Sequence, residues 1–405
     1  MKVQLAYAGD KISLEIPDGA SVDEYSPAVN DNPVDFASFE KNFSGAGGHQ
    51  WLQSERLLIV VNDGHRPTPT SEILAHLNRI DSTLLDRAFF MIAAGTHSEP
   101  TAAHYTKIFG DFYDRLKDRL SFHDAHDKSR MRSIGVDHLG GEVWLNNALF
   151  EYDRVMLISS VEPHYFAGYT GGRKSILPGL ADFKAIERNH NLANSLQAAP
   201  LKLGGNPVAE HMAAVLDMLG AEKYFGIQVV IDAHKKLAGA FFGDLKTSFE
   251  GAVEYSAGMY GHRVPKPYDV VICELLPPLD GNLYQLQKAL ENCQPAVKDG
   301  GTILLVSECK NGVGSDHFFN LAQTWDRDKN VAAGGQLHFG SHKLSRVNAI
   351  SKRINVRLYS SLPADKPRQV FYEPVDDIQP LLTDLLTEQK AAAIVYDSGN
   401  TVLTT

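Results

Sequence analysis

Residues 57–69 read LLIVVNDGHRPTP. The first five are a short, unbroken apolar run, the pattern of a strand buried on both faces in a parallel sheet. The run stops on Asn62-Asp63-Gly64-His65-Arg66-Pro67, a polar loop placed where such a strand would end. A helix is expected from Ser71, because Ile73, Leu74, Leu77 and Ile80 recur on one face at helical spacing. Strand, polar loop, helix is the repeating unit of an α/β fold.

The unit recurs outward from there. Residues 89–94 are a second apolar run, ending at Gly95-Thr96-His97. Ser98-Glu99-Pro100 then reads as a helix start, with a hydroxyl cap and a proline in the first turn. Residues 154–160 are a third run, leading into Val161-Glu162-Pro163-His164. In open α/β sheets, ligands sit beyond the carboxyl ends of the strands. Asp63, Arg66, His97 and His164 each follow a predicted strand at that end, and the shared position says more than any one of them.

Residues 3–8 and 11–17 read as a hairpin around Gly9-Asp10. Asn206-Pro207 starts a helix that Gly220 should end, and residues 227–231 and 237–242 flank a polar turn as an antiparallel pair. At Val264-Pro265-Lys266-Pro267 the texture changes, which marks a domain boundary. Residues 270–273, a helix near 283–293 and residues 302–306 then give strand, helix, strand again. A helix over 378–386 and a strand over 392–396 close the chain. The expected organisation is an N-terminal α/β domain over residues 1–265, a smaller α/β domain over 266–390, and a tail over 391–405 that could pack back on the first domain.

The composition permits this. Of 405 residues, 43% are hydrophobic and 22% charged, enough for a sizeable core. The net charge of -10, with basic residues scattered, argues against a nucleic-acid partner. No apolar run approaches the ~18 residues of a membrane span. The N-terminus alternates like a strand and lacks the apolar block of a signal peptide. Cys273, Cys293 and Cys309 have no CxxC spacing, so a disulfide framework or thiolate zinc site is not expected and a cytoplasmic location is.

The chemistry concentrates in residues 163–190, PHYFAGYTGGRKSILPGLADFKAIERNH. Gly171 and Gly172 let the backbone approach a ligand closely, and Arg173 and Lys174 can meet a phosphate or carboxylate. Neither a Walker loop nor a GxGxxG is present. Taken singly, each residue has a plain structural alternative. The Gly-Gly turn could be a surface turn with solvated charges. His97, His164 and His190 could be structural, and Asp63 and Arg66 could pair with each other. His123 and His126 read as a solvated turn rather than a metal pair. Gln285 and Lys288, one turn apart, could be a solvated helix face.

Together these pieces resemble the nickel-dependent lactate racemase family. The resemblance rests on Asn62 to Pro69, Gly95-Thr96-His97, PHYFAGYTGGRKSILPG, Asn189-His190 and Gln285-Leu286-Gln287-Lys288, in the family's order along most of the chain. It implies two α/β domains with the active site in the cleft between them. It also implies a nickel pincer nucleotide, Ni(II)-pyridinium-3,5-bisthiocarboxylic acid mononucleotide, supplied by cofactor-biosynthesis proteins. By that resemblance Lys174 is the covalent anchor and His190 the protein ligand to nickel. His97 and His164 are paired catalytic bases. Asp63, Gly64, His65 and Arg66 form a loop touching the cofactor, with Arg66 also gripping the substrate carboxylate. Gln285 and Lys288 are substrate contacts from the second domain.

The residue types suit such chemistry. Inverting C2 of a 2-hydroxy acid by removing its proton would add charge beside a carboxylate, whereas removing hydride leaves a planar 2-keto acid. Two enantiomers present the hydroxyl on different sides, so two bases are needed, and histidine titrates near working pH. His65 stands where threonine is common in the family. Residues 337–341, LHFGS, lack the tryptophan expected near the substrate of a lactate-specific member. The expectation is therefore a 2-hydroxy-acid racemase or epimerase with its acid unspecified. The rivals are a metal-dependent hydrolase or lyase using the same histidines with Asp63, and a non-catalytic nucleotide- or metal-binding protein. Visible absorbance and added mass on Lys174 separate them.

Overall fold

The computed structural model describes residues 1–220, 223–332 and 340–405. Leu337, His338 and Phe339 of the LHFGS stretch fall outside the described residues. Two six-stranded sheets organise the chain.

The first sheet runs Leu237–Asp244, Tyr224–Ile231, Arg154–Ser160, Leu57–Asn62, Phe89–Ala93, Leu120–Phe122. Its neighbours are parallel except the first pair, the antiparallel hairpin expected from the polar turn. Leu57 to Val61 are at most 1% exposed, which is why this strand shows no alternation in sequence. The chain builds outward on one side of Leu57–Asn62 through Phe89–Ala93, then returns to its other side with Arg154–Ser160. The strand order reverses between these two central strands, and their carboxyl ends are the crevice where such sheets bind ligands. Thr68 ties the two ends together, its Oγ1 lying 2.9 Å from Asn62 Oδ1 and 2.7 Å from Ser160 Oγ.

Helices form where the apolar spacing called for them. Thr70–Ile80 buries Ile73, Leu74 and Leu77 completely, while Ile80 is only partly covered. Pro207–Asp217 has proline in its first turn, and the Asn206 side chain accepts from Val208 and Ala209 N–H. One expected start is displaced. The cap after His97 is Thr101, not Ser98, and Ala102–Phe109 begins with a capping box that uses His104 as its third residue. Pro100 precedes the cap, where it restricts Glu99 and leaves the helix N–H groups to Thr101.

The second sheet is entirely parallel, in the order Glu373–Val375, Asn355–Tyr359, Val297–Val306, Tyr268–Glu274, Ala391–Val395, Ser21–Tyr25. Both chain ends therefore join it. Ala391–Val395, fully buried, lies between Tyr268–Glu274 and the N-terminal strand Ser21–Tyr25. The hairpin Lys2–Tyr7 and Asp10–Glu15 packs its buried Val3, Leu5 and Leu14 against this sheet's core. A division by chain order misses this, because parallel pairing between residues 21–25 and 391–395 leaves no local signal. Val402–Thr404 pairs with Gly261–Arg263 at the junction. The three cysteines are buried thiols. Among the described residues no helix is long and apolar enough to cross a membrane.

Candidate active site

Three strand ends supply the first side chains. Beyond Leu57–Asn62, Asp63 is buried while His65 is exposed. The His65 N–H donates to Asp63 Oδ1 at 3.1 Å, which fixes the carboxylate. Its other oxygen, Oδ2, makes a short hydrogen bond with Nδ1 of His97, which follows Phe89–Ala93. Burial acts to raise the Asp63 pKa, but the hydrogen bond and charge of His97, with Arg66 and His65, outweigh it and hold the carboxyl below its ordinary value. An ionised Asp63 accepts the Nδ1 proton of His97 and leaves a lone pair on Nε2. Gly64 is required here, since a Cβ on it would sit 2.8 Å from Cδ2 of His104.

The third strand end turns into a tight ribbon, Pro163–His164 against Gly168–Tyr169. His164 is 9% exposed. Ala167 N–H donates to its Nδ1 at 3.3 Å, which places the proton of the neutral ring on Nε2. Burial, then the positive charges of Lys174, Arg66 and Lys288, push its pKa well down.

The ribbon continues into Gly171, at φ +74° and ψ -176°, and the single turn Gly172–Ser175. This turn carries Lys174 inward, 8% exposed. Burial, followed by Arg66 and Arg173, drives its pKa well below the ordinary lysine value, with Glu162 acting the other way. His190 comes from the last turn of Phe183–Asn191. Its Nδ1 lies 2.9 Å from the Ile186 carbonyl and donates to it, so Nε2 carries the lone pair. Burial and the neighbouring Lys174 push this imidazole down to about 4.

The helix is oriented from behind. Asp137, buried, accepts from Arg188 at 2.9 Å and sits 3.0 Å from His211 Nε2. From the second sheet's side, Lys288 on Leu283–Cys293 donates to Asn400 Oδ1 at 3.3 Å, and its charge is felt by both His164 and Lys174. Gln285 is exposed one turn earlier, and none of these contacts involves its side chain. The structure thus brings Asp63, His65, Arg66, His97, His164, Lys174, His190 and Lys288 to one place. His123 does not join them, and it is not in a solvated turn. It is buried between the Ala181 carbonyl at 2.9 Å and Asn146 at 3.1 Å, while His126 stacks on Phe183.

Several site residues escaped the sequence reading. Phe166 is the apolar hub, with its ring centroid 4.6 Å from that of His164, 5.2 Å from His190 and 5.3 Å from His342. Lys174 Nζ lies 5.8 Å from the same ring. Glu162 is buried beside the lysines, with one oxygen held by Thr170 at 2.6 Å and the other without a partner among the described residues. Helix Ser341–Arg353 adds buried His342 and Lys343, the latter pushed down to about 7 by burial and set 3.7 Å from the Tyr284 ring centroid. Proximity to strand ends in the sequence could flag Glu162, but nothing local marks Phe166 or His342.

Comparison with known proteins identifies the family of the chain. Residues 7–200 match the family model of the lactate racemase N-terminal domain, and residues 265–336 that of the lactate racemase C-terminal domain. The lactate racemase of Lactiplantibacillus plantarum is 30% identical over 307 residues, 73% of this chain and 68% of the relative. The lactate racemase of Thermoanaerobacterium thermosaccharolyticum is 26% identical over 333 residues, 78% of this chain and 76% of the relative. Among solved structures, the lactate racemase apoprotein from the latter organism superposes with a TM-score of 0.86 at 22% identity, over 100% of both chains. A protein from Thermotoga maritima gives 0.71 at 16% identity, over 93% of this chain and 99% of the other. With matching domains in matching order and a shared two-sheet fold, this chain belongs to the lactate racemase family, a family of isomerases.

Proposed function

We propose that this chain inverts C2 of a small 2-hydroxy acid of the lactate type. The observation that carries the reading is the convergence of a buried amine, two differently set imidazoles and two cations at the reversal point of the first sheet.

The residues fit a nickel pincer nucleotide. Such a group is anionic, and Arg66, Arg173, Lys174 and Lys288 act on one another here with Glu162 as the buried carboxylate among them. Among the described residues Arg173 Nη1, Ser175 Oγ and Glu162 Oε1 are buried without hydrogen-bond partners, a set of polar atoms that a bound polar group would satisfy. Burial favours the neutral form of Lys174, and a neutral amine is the nucleophile that a covalent attachment requires. His190 offers an Nε2 lone pair in the tautomer fixed by Ile186, the arrangement of a metal-ligating histidine, and imidazole suits square-planar Ni(II). The chemistry such a group supplies when bound is acceptance and return of hydride at C2.

The protein's own side chains do the rest. Arg66 pairs its planar guanidinium with the substrate carboxylate. His97 takes the hydroxyl proton at Nε2, and Asp63 stabilises the imidazolium that results. His164 presents an N–H where His97 presents a lone pair, so one ring is set to remove a proton and the other to hold or return one at the C2 oxygen. Phe166 and the buried walls keep water from the planar keto acid.

The test is to co-express the chain with cofactor-making enzymes and follow the optical purity of D- and L-lactate and a panel of other 2-hydroxy acids. Loss of optical purity with at least one acid is expected. Lys174→Ala should abolish it and remove the added mass from the protein. An active Lys174→Ala would overturn the anchor, and a loaded wild type inert toward the whole panel would overturn the racemase reading.

A further inference from the structure

The rim of the site holds a donor set to which the racemase reading gives proton transfer but no metal. Asp63, His65 and His97 each offer a ligand atom, and the three lie within 4.8 Å of one another. Two imidazoles and one carboxylate are the donors of open, three-ligand zinc sites. Ligands on one tetrahedral zinc stand about 3.4 Å apart, so the set needs only a modest turn of the side chains to close. His65 and His97 are exposed and can make that turn, and an ion reaches them from solvent. Asp63 is already oriented, because the His65 N–H holds Oδ1 and leaves Oδ2 facing His97. His65 packs edge-on to both neighbours, with centroids 4.6 Å from His97 and 4.9 Å from His104.

We propose that Asp63, His65 and His97 form a binding site for one zinc-class divalent ion, separate from the group held by Lys174 and His190. The consequence for catalysis, unlike the site itself, rests on the racemase reading. The nitrogen of His97 that faces Asp63 is Nδ1. Metal bound there displaces the Nδ1 proton to solvent, and the ring stays neutral by taking a proton at Nε2. No net proton is gained or lost, but the lone pair that would receive the substrate's hydroxyl proton is gone. Zinc at the rim therefore acts as an off switch.

The test begins with the cofactor-free full chain, titrated with zinc by calorimetry and with Co(II) by visible absorption. One ion per chain is expected, with Co(II) bands of a low-coordinate site. His65→Thr, at an exposed position that circular dichroism can show to be folded, should weaken zinc by at least about tenfold, since losing even a supporting partner of a ligand costs 10–100-fold. His190→Ala should bind zinc as the wild type does. Absence of zinc binding, equal affinity in His65→Thr, or loss of binding in His190→Ala instead would each overturn the site. On loaded enzyme, zinc should suppress racemisation in the wild type and do so at least about tenfold less potently in His65→Thr. A loaded enzyme with no racemase activity would sink the functional reading while the calorimetry still decides the metal site.

Discussion

His190 shows how burial and tautomer set one side chain's task. Its ordinary pKa is 6.5, and the folded value is about 4, lowered first by burial and then by Lys174. Between those values the unfolded chain holds a proton here that the folded chain refuses. The slope of unfolding free energy with pH is then positive, so this residue's contribution is full above 6.5 and is lost as pH falls toward 4. His190→Gln should therefore show a shallower drop in melting temperature than the wild type between pH 6.5 and 4. Equal slopes would mean that the ring is not kept neutral and is a poor candidate for a metal ligand. The sequence made His97, His164, Asp63 and Arg66 legible because apolar strands ending in polar loops are legible. It did not expose Phe166 or His342, whose parts come from what lies beside them in space. His123 failed for the same reason. Its stretch of sequence read as a solvated turn, while the distant Ala181 carbonyl and Asn146 decide its burial.

The element that positions chemistry most tightly is the turn from Gly171 into Gly172–Ser175. Gly171 sits at φ +74° and ψ -176°, a region closed to side chains, and an added Cβ would lie 2.6 Å from Val161 Cγ2 and 2.8 Å from the Ser160 carbonyl oxygen. Gly171→Ala adds backbone strain of about 1–3 kcal/mol to a steric overlap of similar size. We expect a loss of roughly 2–6 kcal/mol in urea unfolding by those two effects together. Racemisation should fall further than stability explains, because the strain is relieved by moving Lys174. A variant with full cofactor mass and full rate would show that the turn tolerates displacement. The Gly-Gly pair was visible in the sequence, but its need was not. The crowding comes from Ser160 and Val161, at and just past the carboxyl end of Arg154–Ser160, eleven and ten residues earlier in the chain.

At the scale of the molecule, the second sheet's helices are fastened to the first sheet's site by Arg346. It is 6% exposed and pairs with buried Glu291 through two contacts of 2.7 Å. Its remaining nitrogen donates to the Ala193 and Ser195 carbonyls, each at 3.2 Å, just past the helix that carries His190. Neither this clamp nor the joining of both chain ends in one sheet could be read locally, because each depends on partners more than a hundred residues apart. Arg346→Met leaves the Glu291 carboxylate buried and uncompensated, which should cost about 3–5 kcal/mol. Adding Glu291→Leu removes that charge and should restore most of the loss. A deficit of about 1–3 kcal/mol should remain for the two carbonyls left without their donor. Racemisation should stay low in the double variant, since an apolar pair can refill the space yet cannot hold the segment after His190 in register with the second sheet. Urea unfolding and initial rates on the same preparations separate the two effects. If stability and rate recovered together, Arg346 would be a packing residue, and the alignment of the two halves of the site would have to come from the aromatic and lysine contacts around Phe166 and Lys343 alone.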